Sequence, residues 1–150
     1  MTHPRRSRLT RLTRLTLFIK AVTPSLNQYR KMHWGTRRRL RPHLAWLVKA
    51  AMSDVLLVHG EDDVRTFLAH RMHVRISSHR RRGHPPLDDD NLVGGAKPLR
   101  DALVDCGLIH DDSAIYAEFE YEQVADGGVY TTIELEPARE VKRPSSKSSK

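Results

Sequence analysis

Three aspartates and one lysine between residues 88 and 112 have the types and spacing that metal-assisted chemistry requires. Asp88 and Asp90 are two residues apart, so in extended backbone their side chains point the same way while Asp89 points elsewhere. Two carboxylates that close repel each other unless a cation lies between them, and their oxygens suit Mg²⁺ or Mn²⁺. The pattern predicts that Asp88 and Asp90 bind a divalent metal ion.

Lys97 and Asp112 are the candidate partners of this acidic pair. Lys97 stands just before Pro98, where the free N–H groups and the dipole of a starting helix favour a phosphate. Its ammonium could bind a scissile phosphate or stabilise the charge that builds on it. A helix of about 10 residues, roughly 15 Å long, leads to Asp111 and Asp112, and the connecting loops could return Asp112 to Asp88. For any one of these residues, a solvated Asp-rich loop is the alternative interpretation.

The single cysteine and the histidines predict no further chemistry. Cys106 continues an apolar stripe between Pro98 and Gly107, which indicates a small core residue and not a nucleophile. One cysteine excludes an internal disulfide framework and a Cys-rich zinc module. The nine histidines are scattered without the spacing of a zinc site.

The charge of the chain is distributed unevenly. Lys and Arg number 26 against 18 Asp and Glu, a net charge of +8, which points to a polyanionic partner. Residues 1–82 hold 19 basic against 4 acidic residues, and residues 83–150 hold 7 against 14. The basic half is therefore expected to contact a polyanion, either nucleic acid through its phosphates or an acidic membrane surface. The candidate DNA-binding residues are Arg30, Lys31, Arg37, Arg38, Arg39, Arg80, Arg81 and Arg82.

The elements that must position these residues fit one domain of α+β class. The 150 residues suffice for one core, and no run approaches the roughly 20 apolar residues of a membrane span. We expect a basic flexible arm over residues 1–9, a folded domain over 10–137 and a disordered tail over 138–150. Apolar periodicity predicts a small mixed sheet with helices in the order β-α-β-α-β-β.

The predicted elements follow one another along the chain. They are a strand over 15–22, a loop over 26–35, a helix from Pro42 to near Ser53, a strand over 71–77, the helix at 98–107 and a hairpin of strands 115–124 and 129–136.

The glutamates of this last hairpin predict a plain surface. Glu118, Glu120 and Glu122 alternate along one strand, and Glu134 and Glu136 along the next. Alternating acids on one face are typical of a solvated sheet face. No chemistry is expected from them.

The segment Leu87-Asp88-Asp89-Asp90-Asn91, with Lys97, Asp101-Ala102-Leu103, Gly107 and Asp111-Asp112-Ser113, resembles the RusA-type Holliday-junction resolvases. These are Mg²⁺-dependent endonucleases common in phages and prophages. The likeness is dense over residues 87–115. Upstream, Pro24-Ser25-Leu26-Asn27 is similar to the family's Pro-Ser-x-Asn opening, and Arg80-Arg81-Arg82 to its basic run.

The resemblance implies a function and roles for the residues. Asp88, Asp90 and Asp112 would be the catalytic carboxylates that bind Mg²⁺, with Mn²⁺ as a substitute, Lys97 the essential lysine, and Asn91 and Asp111 supporting residues. The chain would be a homodimeric endodeoxyribonuclease that resolves four-way junctions or related branched DNA by paired nicks, in recombination and repair. A cytoplasmic setting in a bacterium, or a phage origin, would follow.

Two other interpretations stay open. In a branched-DNA-binding protein without catalysis, the acids would cap the helix or hold a structural ion. A basic module that binds RNA or a membrane surface would explain the charge of the chain but not the acids. The complete set of Asp88, Asp90, Asp112 and Lys97 favours the nuclease.

Overall fold

A computed structural model describes residues 11–139, which form four strands and five helices. Strand β1 is followed by three helices, β2 by two helices, and β3 directly by β4. The elements are β1 Leu15–Ile19, α1 Leu26–Lys31, α2 Trp34–His59, α3 Glu61–Leu68, β2 Met72–His79, α4 Asp89–Gly95, α5 Lys97–Asp105, β3 Ala117–Val124 and β4 Tyr130–Pro137.

The four strands form one mixed sheet in the order β1-β4-β2-β3. Strand β4 runs antiparallel to both β1 and β2, whereas β2 and β3 are parallel. Strands β1, β2 and β3 therefore point in one direction. The segments that follow them leave the sheet at the same end, which we call the carboxyl end of the sheet.

One face of the sheet packs against helices. In β1, Leu15, Leu17 and Ile19 are buried while Thr16 and Phe18 are exposed, as the two-residue period of a strand requires. The buried side chains of the strands share one core with residues of α2, α3 and α5. The opposite face, called the outer face, carries a histidine and a set of charged residues: His73, Arg75, Glu118, Glu120, Glu122, Glu134 and Glu136.

The predicted α+β class is confirmed, but the predicted order β-α-β-α-β-β is wrong in its helices. Three helices separate β1 from β2, and two separate β2 from β3. Residues 26–35, predicted as a loop, form α1 and the start of α2. The signal is a capping box, in which Ser25 Oγ accepts from Gln28 N at 3.1 Å and Gln28 Oε1 accepts from Ser25 N at 3.0 Å.

Helix α2 begins well before Pro42, the residue at which the sequence predicts its start. His33 is the N-cap, and its Nδ1 accepts from Gly35 N at 3.1 Å. Pro42 lies inside the helix. A proline there leaves the carbonyl of Arg38 without its helical donor, and both residues are exposed, so water can bond that carbonyl.

The predicted hairpin of β3 and β4 is wrong, because β2 lies between these strands. The connection through Asp126, Gly127 and Gly128 crosses two strand spacings, about 10 Å, instead of one. Strand β2 is an inner strand with an apolar helix-facing side, whereas β3, at the edge, turns Tyr121 and Gln123 to that side. Met72, Val74 and Ile76 are at most 1% exposed.

Parts of two predicted segments lie outside the described residues. The basic arm over residues 1–9 is outside them, and so are residues 140–150 of the predicted tail. Just before that part of the tail, Ala138 N donates to the carbonyl oxygen of Arg71 at 2.8 Å.

Between residues 11 and 139, no helix combines the length and the apolar character needed to cross a membrane.

Candidate functional site

The carboxyl end of the sheet gathers the segments that resemble nuclease motifs. The segment after β1 leads to Ser25 and α1, and the segment after β2 carries Arg80 and leads to Asp88. Arg80 Nη2 donates to the carbonyl oxygen of Thr23 at 3.1 Å and so joins the two segments. Burial lowers the pKa of Arg80. A basic residue of the predicted DNA-binding set therefore has a structural contact here.

Gln123, near the end of β3, fixes the approach to the acidic residues. Its Oε1 accepts from Leu87 N at 2.9 Å, and its Nε2 donates to the carbonyl oxygen of Leu87 at 2.6 Å. Leu87 directly precedes Asp88. This pair of hydrogen bonds sets the position of the acidic segment relative to the sheet.

Asp88 is the N-cap of α4, and this corrects the extended conformation expected for residues 88–90. Its Oδ1 accepts from Asn91 N at 2.9 Å and its Oδ2 accepts from Asn91 Nδ2 at 2.9 Å. These two hydrogen bonds hold the pKa of Asp88 below its usual range. Asp90 lies in the first turn of the helix. Both carboxylates therefore stand at a helix N-terminus, where negative charge is favoured.

Asn91 connects α4 to α1. Its Oδ1 accepts from the backbone N–H of Asn27 at 3.1 Å, while its amide nitrogen donates to Asp88. The two hydrogen bonds fix the orientation of the Asn91 side chain. The predicted supporting role of Asn91 thus has a physical form: this residue holds the Asp88 carboxylate and the start of α1 together.

Two glycines of α4 allow this close approach of the helices. A Cβ atom on Gly94 would lie 2.7 Å from Leu26 Cδ2, and one on Gly95 would overlap the carbonyl oxygen of Pro24. Any larger residue at position 95 would push the backbone of the Pro24 turn away. The Gly94-Gly95 pair therefore lets α1 dock beside the acidic residues.

An open cleft of about 630 Å³ lies between α1 and α4, in front of these groups. Its polar lining combines two carboxylates, two amides and one guanidinium. The residues are Leu26, Asn27, Arg30, Asp88, Asp90, Asn91, Val93 and Gly94. Asp88 and Asp90 thus face one cleft, as predicted, although they do so from a helix.

Lys97 and Asp112 meet at the start of α5 and form, with Asp101, what we call the lysine cluster. Lys97 Nζ donates to Asp112 Oδ2 at 2.6 Å and to Asp101 Oδ1 at 2.7 Å. The hydrogen bonds to Asp101 and Asp112 raise the pKa of Lys97, and the hydrogen bond from Lys97 lowers the pKa of Asp112. Lys97 and Asp112 are therefore ionised at neutral pH. Lys97 keeps about half of its side chain exposed, at 49%.

The lysine cluster and the acidic cap, our name for Asp88 and Asp90 at the start of α4, are each linked to β3. Tyr121 and Gln123 share the helix-facing side of the strand, about 7 Å apart. Gln123 holds Leu87 next to Asp88, while Lys97, Asp112 and Arg100 all influence the pKa of Tyr121. One strand therefore supports both groups.

The three predicted carboxylate ligands do not form one cluster. In the part of the chain that the structure describes, no group of three or more His, Cys, Asp or Glu side chains is placed to hold a metal ion. Asp88 and Asp90 share the cleft, whereas Asp112 is bound by Lys97. The role of Asp112 as a third metal ligand stays a prediction.

Asp111 and Asp89 are exposed neighbours of these groups. Asp111 Oδ1 accepts from Asp112 N at 2.9 Å, which fixes the backbone that carries the Asp112 carboxylate. This contact is consistent with the supporting role that the resemblance implies for Asp111.

The basic residues predicted to bind DNA lie in different settings. Arg30 lines the cleft. Arg37 Nη2 donates to the carbonyl oxygens of Arg30 and Met32 at 3.0 and 3.3 Å, and its guanidinium lies 5.3 Å from the Tyr29 ring centroid. Arg37 and Arg80 therefore hold turns in place. The exposed members of the set are Arg30, Lys31, Arg38, Arg39, Arg81 and Arg82.

Sequence reasoning missed three residues of the site: Gln123, Tyr121 and Arg100. Gln123 and Tyr121 occupy the helix-facing side of β3, where apolar residues are the rule. Two polar-tipped residues there, at alternate positions, are the signal that could have singled them out. Arg100 is one helical turn after Lys97, and nothing in its local sequence distinguishes it.

In comparisons with known proteins, no family model matches the chain. No curated protein is significantly similar to it.

Proposed function

We propose that this protein is a Mg²⁺-dependent, structure-specific endodeoxyribonuclease. It would resolve Holliday junctions or related branched DNA by paired nicks, in recombination and repair. The observation that carries the proposal is the cleft between α1 and α4 that Asp88, Asp90 and Arg30 share, and the lysine cluster at the start of the next helix, α5, supports it. Acidic groups can hold the metal ion that assists phosphodiester hydrolysis, and basic groups can bind the phosphate.

The donor set at the cleft fits Mg²⁺. Asp88 and Asp90 supply hard carboxylate oxygens, and the lowered pKa of Asp88 keeps it ionised. Mg²⁺ in phosphoryl chemistry is commonly held by one or two carboxylates together with water and substrate phosphates. When bound, the ion would polarise a phosphoryl oxygen and favour deprotonation of a water molecule. Asp112 would add a third carboxylate if DNA binding draws Lys97 away from it.

The chain's own residues would bind and orient the substrate. Lys97 offers an exposed ammonium that already accommodates two carboxylates, and a phosphate oxygen is a similar acceptor. Arg30 stands at the cleft, and the exposed cations of the basic half would hold the arms of the junction through their phosphates. This mode of binding supplies strong salt dependence and little sequence preference.

The wider setting follows from the resemblance to RusA-type resolvases. A homodimer would place two sites on opposed strands of a four-way junction and so explain paired nicks. The protein would act in the cytoplasm of a bacterium and would be encoded by the host or by a phage. The motifs over residues 87–115 support this part of the proposal.

A branched-DNA-binding protein without catalysis is the second candidate. The observation that favours it is the ion pair of Lys97 with Asp112, at 2.6 Å, because it occupies both predicted catalytic groups. In this alternative the acidic residues only cap α4 and stabilise the turn.

Cleavage of a synthetic four-way junction separates the two candidates. The purified protein is incubated with the junction or with linear duplex, in Mg²⁺ or in EDTA, alongside Asp90→Asn. We expect paired nicks near the crossover that need Mg²⁺ and disappear in the variant, while binding in EDTA persists. Junction binding without cleavage in Mg²⁺ or Mn²⁺ would establish the second candidate instead.

A further inference from the structure

Two buried polar atoms beside the lysine cluster have no hydrogen-bond partner among residues 11–139. They are the hydroxyl of Tyr121 and the Nε of Arg100; Arg100 also lies close enough to the Tyr121 oxygen to act on the pKa of Tyr121 as a hydrogen-bond donor, so the groups without an acceptor are the O–H of Tyr121 and the Nε–H of Arg100. The Nε atoms of Arg37, Arg75 and Arg80 are likewise buried without a partner, but they lie away from the lysine cluster. Buried polar groups in folded proteins are almost always hydrogen-bonded, so a pair of unbonded donors at one place asks for a physical explanation.

Both groups lie on the surface shared by α5 and β3. The guanidinium of Arg100 is 5.7 Å from the ring centroid of Phe119, which is two residues before Tyr121 on the same side of the strand. The charge of Arg100 also lowers the pKa of Asp112. The unbonded donors therefore border the lysine cluster.

The chemistry of these donors defines what they would bind. Burial raises the pKa of Tyr121, so its hydroxyl is protonated at neutral pH and can donate. Arg100 donates through its N–H groups and accepts nothing. The nearby carboxylates of Asp101 and Asp112 are already bonded to Lys97. A ligand here must bring acceptor oxygens and negative charge.

We infer that Tyr121 and Arg100 form, with Lys97, a binding subsite for one phosphate group of a DNA strand. The inference rests on the proposed function, because that function supplies the phosphodiester. Both donors are shielded from solvent in the free protein. The side chains of Tyr121 and Arg100 would therefore shift on binding, so that they and the exposed lysine ammonium share the oxygens of a single phosphate.

The position of the subsite indicates how it would act on the bound DNA strand. Tyr121 lies about 7 Å along β3 from Gln123, whose hydrogen bonds hold Leu87 next to Asp88. A strand that places one phosphate at Tyr121 would bring a neighbouring part of its backbone towards the cleft of Asp88 and Asp90. The subsite would set the register of the strand in the site.

A phosphate-interference experiment tests the subsite directly. Neutral methylphosphonates replace single phosphates along one strand of a four-way junction, and binding is measured in EDTA with the wild-type protein, Tyr121→Phe and Arg100→Gln. We expect each variant to bind about tenfold more weakly, as for loss of one hydrogen bond to a charged group. A methylphosphonate weakens binding where it replaces a phosphate that the protein contacts, and this loss of binding is the interference. In both variants the interference should become smaller at one and the same phosphate. Arg100→Gln should also reduce the slope of log K against log salt by about one.

Matched controls show that the effect is local. Tyr116→Phe removes a hydroxyl from a tyrosine that is 40% exposed and whose ring lies tilted against His110, outside the subsite. Arg65→Gln removes a charge from α3, where Arg65 pairs with Glu61. Both should keep the wild-type interference pattern. Variants that weaken interference at two different phosphates, or at none, would overturn the subsite.

A measurement on the wild-type protein covers the case in which a variant does not fold. The ¹⁵N resonance of Arg100 Nε is followed by NMR while a ten-nucleotide single strand is added in EDTA. A shift that saturates with the binding curve supports the subsite. An unchanged resonance at saturation, or no binding of the strand, overturns it.

The subsite and the proposed function can fail separately. Mg²⁺-dependent nicking with interference unaltered by Tyr121→Phe would refute the subsite and leave the nuclease standing. Altered interference without nicking in any divalent metal would support the subsite in a protein that binds DNA and does not cut it.

Discussion

The outer face of the sheet and the acidic cap of α4 are both rich in carboxylates, but their charges are balanced differently. On the outer face, Glu120 lies 3.2 Å from His73 Nε2 and 3.3 Å from Arg75 Nη2, and Glu134 lies 3.7 Å from Arg75 Nη1. Within residues 11–139, no lysine, arginine or histidine pairs with Asp88 or Asp90. Basic side chains lie against four of the five glutamates of the first surface and against neither carboxylate of the second.

The difference separates a structural surface from a candidate binding surface. Cross-strand ion pairs stabilise a sheet by fractions of a kcal/mol and leave its carboxylates occupied. Carboxylates without a cation repel one another, and their repulsion is relieved when a cation binds. Position in the fold, and not the number of acids, decides which of the two surfaces can take a metal ion.

Matched removal of one negative charge from each surface is the sharpest test of this comparison. Asp90→Asn should lower the rate of Mg²⁺-dependent cleavage on the order of 10³-fold, because metal binding contributes several kcal/mol to the transition state. Glu120→Gln should leave the cleavage rate unchanged. Single-turnover cleavage of the junction measures both, and equal effects would refute the comparison.

Lys97→Met tests whether the lysine cluster belongs to the chemistry. Loss of one positive group at a reacting phosphate should lower cleavage about 10²-fold. A smaller loss of affinity in EDTA should accompany it, since one phosphate contact disappears. Lys49→Met on α2 is the matched control and should cleave normally. Full cleavage activity in Lys97→Met would show that Lys97 serves only in its ion pairs with Asp101 and Asp112.

Gly95→Ala tests whether the close packing of α4 against α1 is needed to position Asp88 and Asp90. The added Cβ would overlap the carbonyl oxygen of Pro24, so the contact of α1 with α4 must open. We expect a loss of about 1–3 kcal/mol in the free energy of unfolding, measured with urea. Cleavage should fall as well, because the cleft loses its shape. Gly35→Ala in α2 places its Cβ 3.3 Å from His33 Nδ1 and should change stability far less.

The hydrogen bonds of Asp88 predict a small effect of pH on stability. Asn91 holds the folded-state pKa of Asp88 below its ordinary value of 3.8. The stabilisation is therefore present above pH 3.8 and is lost as the pH falls through the lowered value. Asp88→Asn keeps a capping oxygen but does not titrate. Urea unfolding between pH 5 and pH 2 should thus depend less steeply on pH in this variant, and an unchanged slope would contradict the role of the cap.

Local signals in the sequence predicted those parts of the fold that depend on neighbouring residues. Leu99, Ala102 and Leu103 form the buried stripe of α5, which spans Lys97–Asp105 where residues 98–107 were predicted. Alternation predicted β2 within two residues of its observed end at His79. Such patterns reflect the period of the backbone, which the chain carries locally.

Long-range pairing could not be predicted in the same way. Asp126-Gly127-Gly128 is typical of a hairpin turn, yet β3 pairs with β2, whose residues are distant in the chain. The choice of partner depends on how much apolar surface the whole sheet buries. The position of α1 against α4 could not be predicted for a related reason, since this contact depends on Gly94 and Gly95.

The sequence by itself determined the chemical inventory of this protein: three aspartates, an asparagine and a lysine at motif spacing, and an excess of cations in the first 82 residues. The tertiary structure decided which of these groups meet. Asp88 and Asp90 share a cleft with Arg30, while Asp112 binds Lys97 beside Tyr121. Residue types and spacing are written along the chain. The distances between side chains depend on how strands and helices far apart in sequence pack together to bury one core.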